Sequence, residues 1–198
     1  MTEIPPRSCE FQESDEALMR LVSSGDDGAF RSLVERHQGL VIATVARMIG
    51  ISDAEDIAQQ VFLNVWKSAP RWRPEARFTT WLLTIAKRLV FNESRRRSRA
   101  RLIPQSRDAD DEGPDHPDGT PGPDQQLLER ELHRAIEQSL ASLPEKERLA
   151  LILRRYENMP YDEIAIVLSL SLPAVKSLLF RARNTLKEKL TPYLGNDH

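Results

Sequence analysis

SLPEKERLALILRRYENMPYDEIAIVLSLSLPAVKSLLFRARNTLKEKL, residues 142–190, reads as a run of helices that ends in a helix-turn-helix. Tyr161 to Leu168 form the first helix of the pair, Ser169 and Leu170 the turn, and Ser171 the N-cap of the second. A serine suits that place because its hydroxyl accepts a backbone N–H that the helix leaves unpaired. From there Val175, Leu179, Ala182 and Leu186 step by four, three and four and share one helical face. The opposite arc holds Lys176, Ser177, Phe180, Arg181, Arg183, Asn184 and Lys187, which supply charge for phosphates and polar groups for base edges. Shape alone equally fits a helical hairpin with a solvated basic face.

The wording of the segment separates the two readings. LPEKER, YDEIA, AVKS and LFRAR resemble the C-terminal promoter-reading domain of bacterial sigma factors, in particular the small extracytoplasmic-function type. Response-regulator output domains share part of this pattern, so the other half of the chain has to decide. The resemblance implies that Ser171, Lys176, Ser177, Phe180, Arg181 and Arg183 face the minus-thirty-five duplex. Related factors usually carry arginine where this chain has Leu178, which lies at the margin of the buried stripe.

The first half agrees. DDGAFRSLVERHQGLVIATVARMIG, residues 26–50, is similar to the opening helices of the sigma N-terminal domain. In ISDAEDIAQQVFLNVWKSA, Ser52 and Glu55 have capping-box spacing at a helix start. Ile57, Ala58, Val61, Phe62, Val65 and Trp66 then form an apolar stripe, and Asp56, Gln59, Gln60, Asn64 and Lys67 occupy the remaining face. Residues alone read that face as a solvated surface. The resemblance makes Asp56, Gln59, Gln60 and Asn64 the docking surface for core RNA polymerase, with Gln60 standing where relatives often carry an acid.

Pro70 and Pro74 break helical continuity, so residues 68–78 read as a loop, with Thr79 or Thr80 capping the helix that follows. Leu82, Ile85, Ala86 and Leu89 line one face of that helix, and a string of arginines extends its end. The resemblance implies promoter melting and minus-ten recognition here, carried by Arg71, Trp72, Arg73, Arg77, Lys87, Arg88, Arg95, Arg96 and Arg97. Aromatic rings among cations suit single-stranded nucleic acid. Trp81 begins the helix and reads as core, whereas Trp72 sits between arginines in a loop and reads as the ring that contacts a base.

Net charge divides along the chain. Residues 107–124 hold one arginine and seven acids, a local charge of −6, so the remainder is +4 against a total of −2. Proline, glycine and aspartate dominate the segment, the composition of a disordered linker. Beyond it Asp124 can cap a helix carrying Leu128, Leu132, Ile136, Leu140 and Leu143, and Pro144 marks the start of the next. Cys9 is the single cysteine, and His37, His116, His133 and His198 show no ligand spacing. No glycine-rich phosphate loop or nucleophile elbow occurs, so no cofactor, metal or catalytic role is expected. No apolar run approaches spanning length and no signal-peptide pattern opens the chain, which predicts a cytoplasmic protein without membrane insertion.

The expected fold is all-α: a region 2-like domain over 10–101, a flexible acidic linker over 102–124, and a region 4-like domain over 125–194 that ends in the helix-turn-helix. The expected function is transcription initiation with core RNA polymerase and promoter DNA as partners, and an anti-sigma factor as a further candidate. A stand-alone helix-turn-helix regulator and a sigma-like interaction protein without promoter activity remain open at this point.

Overall fold

A computed structural model of the chain describes residues 13–101 and 123–193. The acidic linker therefore lies outside the described residues, except that Pro123 and Asp124 already belong to the next helix. Among the described residues eight α-helices occur and no strand. The first four are α1 (Asp15–Ser23), α2 (Asp27–Ile49), α3 (Ala54–Ser68) and α4 (Phe78–Arg101). The second four are α5 (Pro123–Ala141), α6 (Glu145–Arg155), α7 (Tyr161–Leu168) and α8 (Leu172–Leu190).

Local chemistry sets most boundaries. Ser14 accepts from the Ala17 N–H at 3.2 Å to start α1, and Asp26 accepts from the Ala29 N–H at 2.8 Å to start α2. Gly50 ends α2 at φ 95°, a positive φ that a glycine, lacking a Cβ, adopts without a steric clash. The capping box expected at Ser52 does not form. Asp53 is the N-cap of α3, and its carboxylate accepts from Arg97 and from Ser52 Oγ instead of from the helix. Thr79 and Thr80 do not cap α4 either, because the helix starts earlier and takes both into its first turn. Asp124 likewise lies within the first turn of α5 rather than ahead of it.

Met19, Leu33, Val41, Val45, Val61, Val65, Leu82 and Val90 fill the core between α1 and α4, while Ile152, Leu153, Ile164 and Leu179 anchor the second unit. The helix-turn-helix has the expected bounds. Ser169 adopts φ 56° to close α7, Ser171 accepts from the Ala174 N–H at 3.4 Å, and α7 and α8 meet at a bend of 97°. That angle falls in the range of helix-turn-helix pairs.

The two units pack against each other. Thr80, Leu83 and Lys87 recur at three- and four-residue steps on a second face of α4, turned toward α7. Thr80 Oγ1 donates to Glu163 Oε2 at 2.8 Å, and Lys87 Nζ reaches Ser169 Oγ at 3.4 Å. On the other side Arg148 Nη1 donates to the Met48 carbonyl at 2.8 Å, and the Arg47 guanidinium lies 4.0 Å over the Tyr156 ring.

Candidate nucleic-acid interface

On α8 the buried stripe and the open arc separate as periodicity demands. Val175, Leu178, Leu179 and Ala182 are buried, and Ser171, Lys176, Ser177, Phe180, Arg181 and Arg183 are exposed. Leu178, at 7% exposure, belongs to the packed side and leaves no charge at that margin. Phe180 is 66% exposed, the most open large apolar side chain among the described residues. An exposed ring flanked by Ser177 and Arg181 can touch a thymine methyl while its neighbours hydrogen-bond to base edges. Two of the cations are held in place. Arg181 Nε donates to Glu147 Oε1 at 2.8 Å, and Arg183 Nη2 donates to the Tyr161 hydroxyl at 3.3 Å. The Arg183 contact lowers the Tyr161 pKa, because a cation at the oxygen favours phenolate.

The arginine-rich end of α4 sorts differently from its sequence. Arg95 and Arg88 are exposed and can meet phosphates. Arg96 is exposed but forms a two-bond pair with Glu93, at 2.7 and 2.8 Å. This pairing, with Arg97 adding to it, holds the Glu93 carboxyl down at about 2. Arg97 is a strap rather than an open cation: it donates to Glu93 at 3.0 Å, to the Ile49 carbonyl at 2.7 Å and to Asp53. Two of these acceptors, Ile49 and Asp53, tie the end of α4 to the α2–α3 turn, and the third, Glu93, holds the guanidinium along its own helix. That arrangement leaves little of Arg97 for a phosphate.

The loop before α4 brings a correction. Trp72 is buried, at 8% exposure, against Trp81 at a ring separation of 6.4 Å, and its Nε1–H meets no acceptor among the described residues. It offers no open face for a base. Trp81 is the less buried of the two, reversing the order read from sequence. The reason is tertiary: a 3₁₀ turn over Ala69–Arg71 packs on α1 and carries the next residue inward. Arg71, Arg73 and Arg77 stay exposed, although Arg77 pairs with Glu163 at 3.3 Å. Lys87 is half-buried against the second unit, and that burial, with Arg88 and Lys146 nearby, lowers its pKa.

On α3, Asp56, Gln59 and Gln60 are exposed and Asn64 is half-buried. Leu63, 47% exposed, falls on the same arc as Asp56 and Gln59, two turns past the first and one past the second, and nothing in the sequence singles it out. Among the described residues no cluster of His, Cys, Asp or Glu could hold a metal ion.

Residues 33–100 match the family model for sigma-70 region 2, and residues 133–186 match that for sigma-70 region 4. The ECF RNA polymerase sigma-E factor of Escherichia coli strain K12 is 31% identical over 189 residues, 92% of this chain and 97% of that protein. The RNA polymerase sigma-H factor of Pseudomonas aeruginosa is 30% identical over 190 residues, with coverage of 92% and 97%. Among solved structures, CnrH in complex with the cytosolic domain of CnrY is similar at a TM-score of 0.66 and 28% identity, covering 91% of this chain and 99% of that one. The sigma factor RpoE of Bartonella quintana, bound to the anti-sigma factor NepR, shares the fold at a TM-score of 0.63 and 21% identity, with coverage of 85% and 98%.

Proposed function

The chain belongs to the sigma-70 family, as an RNA polymerase sigma factor of the extracytoplasmic-function type, and on that premise we propose how its surfaces divide the work. It directs promoter-specific initiation of transcription. The open face of α3, with Asp56, Gln59, Gln60, Asn64 and Leu63, docks core RNA polymerase. Arg71, Arg73, Arg77, Lys87, Arg88 and Arg95 engage the minus-ten element as it melts, and Arg96 contributes its outer edge. The arc of α8 enters the major groove at the minus-thirty-five element. The factor performs no bond chemistry of its own and acts in the cytoplasm. Among the described residues no single helix is long and apolar enough to cross a membrane.

Units spanning 10–101 and 125–194, joined by the acidic linker, suit these tasks. The observation that carries this reading is α8 itself: a 97° bend presents Ser177, Phe180 and Arg181 outward from a fully packed opposite face. The two DNA elements lie about 25 base pairs apart, roughly 85 Å at ~3.4 Å each. The helices concerned, α4 with 24 residues and α8 with 19, are about 36 and 28 Å long at ~1.5 Å per residue. Units packed as α4 is on α7 fall short of the span between the elements, so they part on the promoter. The 21 residues between Arg101 and Pro123 reach about 70 Å when stretched. An anti-sigma factor is proposed as a regulator, since the Bartonella quintana factor was solved with one.

The docking assignment is tested by Asp56→Arg with Gln59→Arg, and separately by Leu63→Asp, in co-purification with core enzyme. All three sites are exposed, so helix content should hold. Retained core binding is expected to fall at least tenfold in either variant, and undiminished co-purification would remove α3 from the polymerase interface.

A further inference from the structure

We propose that Glu147 is a positioning residue of the minus-thirty-five reader, holding Arg181 so that its terminal fork faces a guanine edge. This rests on α8 being the groove-entering helix. Glu147 is buried, at 8% exposure, in the first turn of α6, on a different helix from the residue it serves. In a capping box a glutamate at that position folds back onto the N-cap N–H. Here the N-cap is Pro144, which has no N–H, so the carboxylate is free to reach elsewhere. It accepts from Arg181 Nε at 2.8 Å, with the arginine side chain 57% exposed and the glutamate side chain 10% exposed.

The nitrogen that Glu147 binds is Nε, not a terminal one. A guanidinium has five N–H donors in one plane, and the Nε edge is the one nearest its own helix. Binding that edge leaves the terminal nitrogens free, and among the described residues no protein group accepts from them. Four donors remain in a plane whose rotation is fixed. The match is to the paired O6 and N7 acceptors of guanine in the major groove, which only a fork held in plane reads with both bonds. An arginine without the carboxylate keeps its charge but turns freely and finds phosphates as readily as bases. Glu147 thus converts a cation into a reader, and a buried acid that lies back from the groove does so without approaching the DNA.

The test uses holoenzyme reconstituted with the full chain and a duplex library randomised across the minus-thirty-five element, sequenced after selection. Arg181→Ala should erase guanine preference at one position and so identify it. Glu147→Ala should cut the preference at that same position about tenfold, leaving the other positions within twofold. Glu147→Gln keeps an oxygen for Nε and should retain most of the wild-type preference. Glu147→Leu, an apolar filling of the same space, should behave as Glu147→Ala and stands in if the smaller side chain destabilises the unit. A Glu147→Ala profile that matches wild type, or that weakens every position alike, overturns the positioning role. If Arg181→Ala itself leaves all preferences unchanged, the groove reading of Arg181 has failed, and the role of Glu147 falls with it.

Discussion

Trp72 gives the clearest separation between packing and nucleic-acid contact. The ring is 8% exposed and sits edge-on to Trp81, which in turn lies 5.9 Å from Phe78. Truncating a buried tryptophan to alanine removes its transfer energy and leaves a cavity, at a cost of about 3–5 kcal/mol. For a chain of this size each kcal/mol moves the midpoint by roughly 2–4 °C, so Trp72→Ala should lower Tm by roughly 6–20 °C. Trp72→Phe keeps much of the apolar area and removes an N–H that meets no acceptor among the described residues, a group that costs about 1–3 kcal/mol when left unpaired. The phenylalanine variant should therefore lose no more than about 1–2 kcal/mol. Thermal unfolding followed by far-ultraviolet circular dichroism gives both numbers, and permanganate footprinting on holoenzyme reports strand opening beside them. A Trp72→Ala protein within about 1 kcal/mol of wild type, yet defective in opening, would refute the packing argument and return the ring to the DNA.

Three further outcomes follow from the same geometry. Leu178→Arg puts a charge at a 7% exposed site, so it should cost about 1–3 kcal/mol of stability while its stem reaches the surface. It should tighten minus-thirty-five binding equally on cognate and altered duplexes and steepen the salt slope by about one unit, whereas a changed base preference would show that position 178 faces the groove. Glu93 titrates at about 2 in the folded chain against 4.5 ordinarily, so it stabilises the fold above about 4.5 and loses that contribution as pH falls through about 2. Glu93→Gln should flatten the acid side of a urea-midpoint profile, and a profile parallel to wild type between those values would contradict the Arg96 and Arg97 pairing. Glu163→Arg sets a cation against Arg77 and removes the Thr80 acceptor, so energy transfer between dyes on α2 and α8 should drop, while Asp162→Arg, exposed and equal in charge change, should leave it in place. An equal drop in both variants would mean that charge alone governs the spacing of the units, and no drop in either would remove the Glu163 contact from it.

What the sequence disclosed and what it concealed divide by range. Tyr161 to Leu168, the Ser171 cap and the stripe from Val175 to Ala182 are set by neighbours three and four residues away, and all were legible. The apolar side of α3 was legible for the same reason, and so was the placement of Leu178 on the packed margin. Trp72 was not, because its burial depends on α1 and on Trp81 rather than on the arginines beside it. Arg97 looked like its neighbours in the run, but only it meets Ile49 and Asp53, 48 and 44 residues back. Thr80, Leu83 and Lys87 form a face whose partner is α7, on the other unit, and one-dimensional periodicity cannot say that a helix is buried twice. Glu147 reads as one more charge in LPEKER until Arg181, 34 residues on, comes to rest against it.

The central claim is that this chain gives core polymerase a promoter address and opens the DNA there. Multi-round in vitro transcription tests it directly, with core enzyme, the full chain, and templates carrying a promoter selected from the host genome by the reconstituted holoenzyme. Transcripts should appear only when the chain is present and should be lost when either the minus-ten or the minus-thirty-five element is altered. They should also be lost with Asp56→Arg plus Gln59→Arg, although free duplex binding by α8 persists. Sequence-specific duplex binding by the chain alone, with no transcript from core enzyme on any such template, would contradict the account and leave a helix-turn-helix regulator in its place.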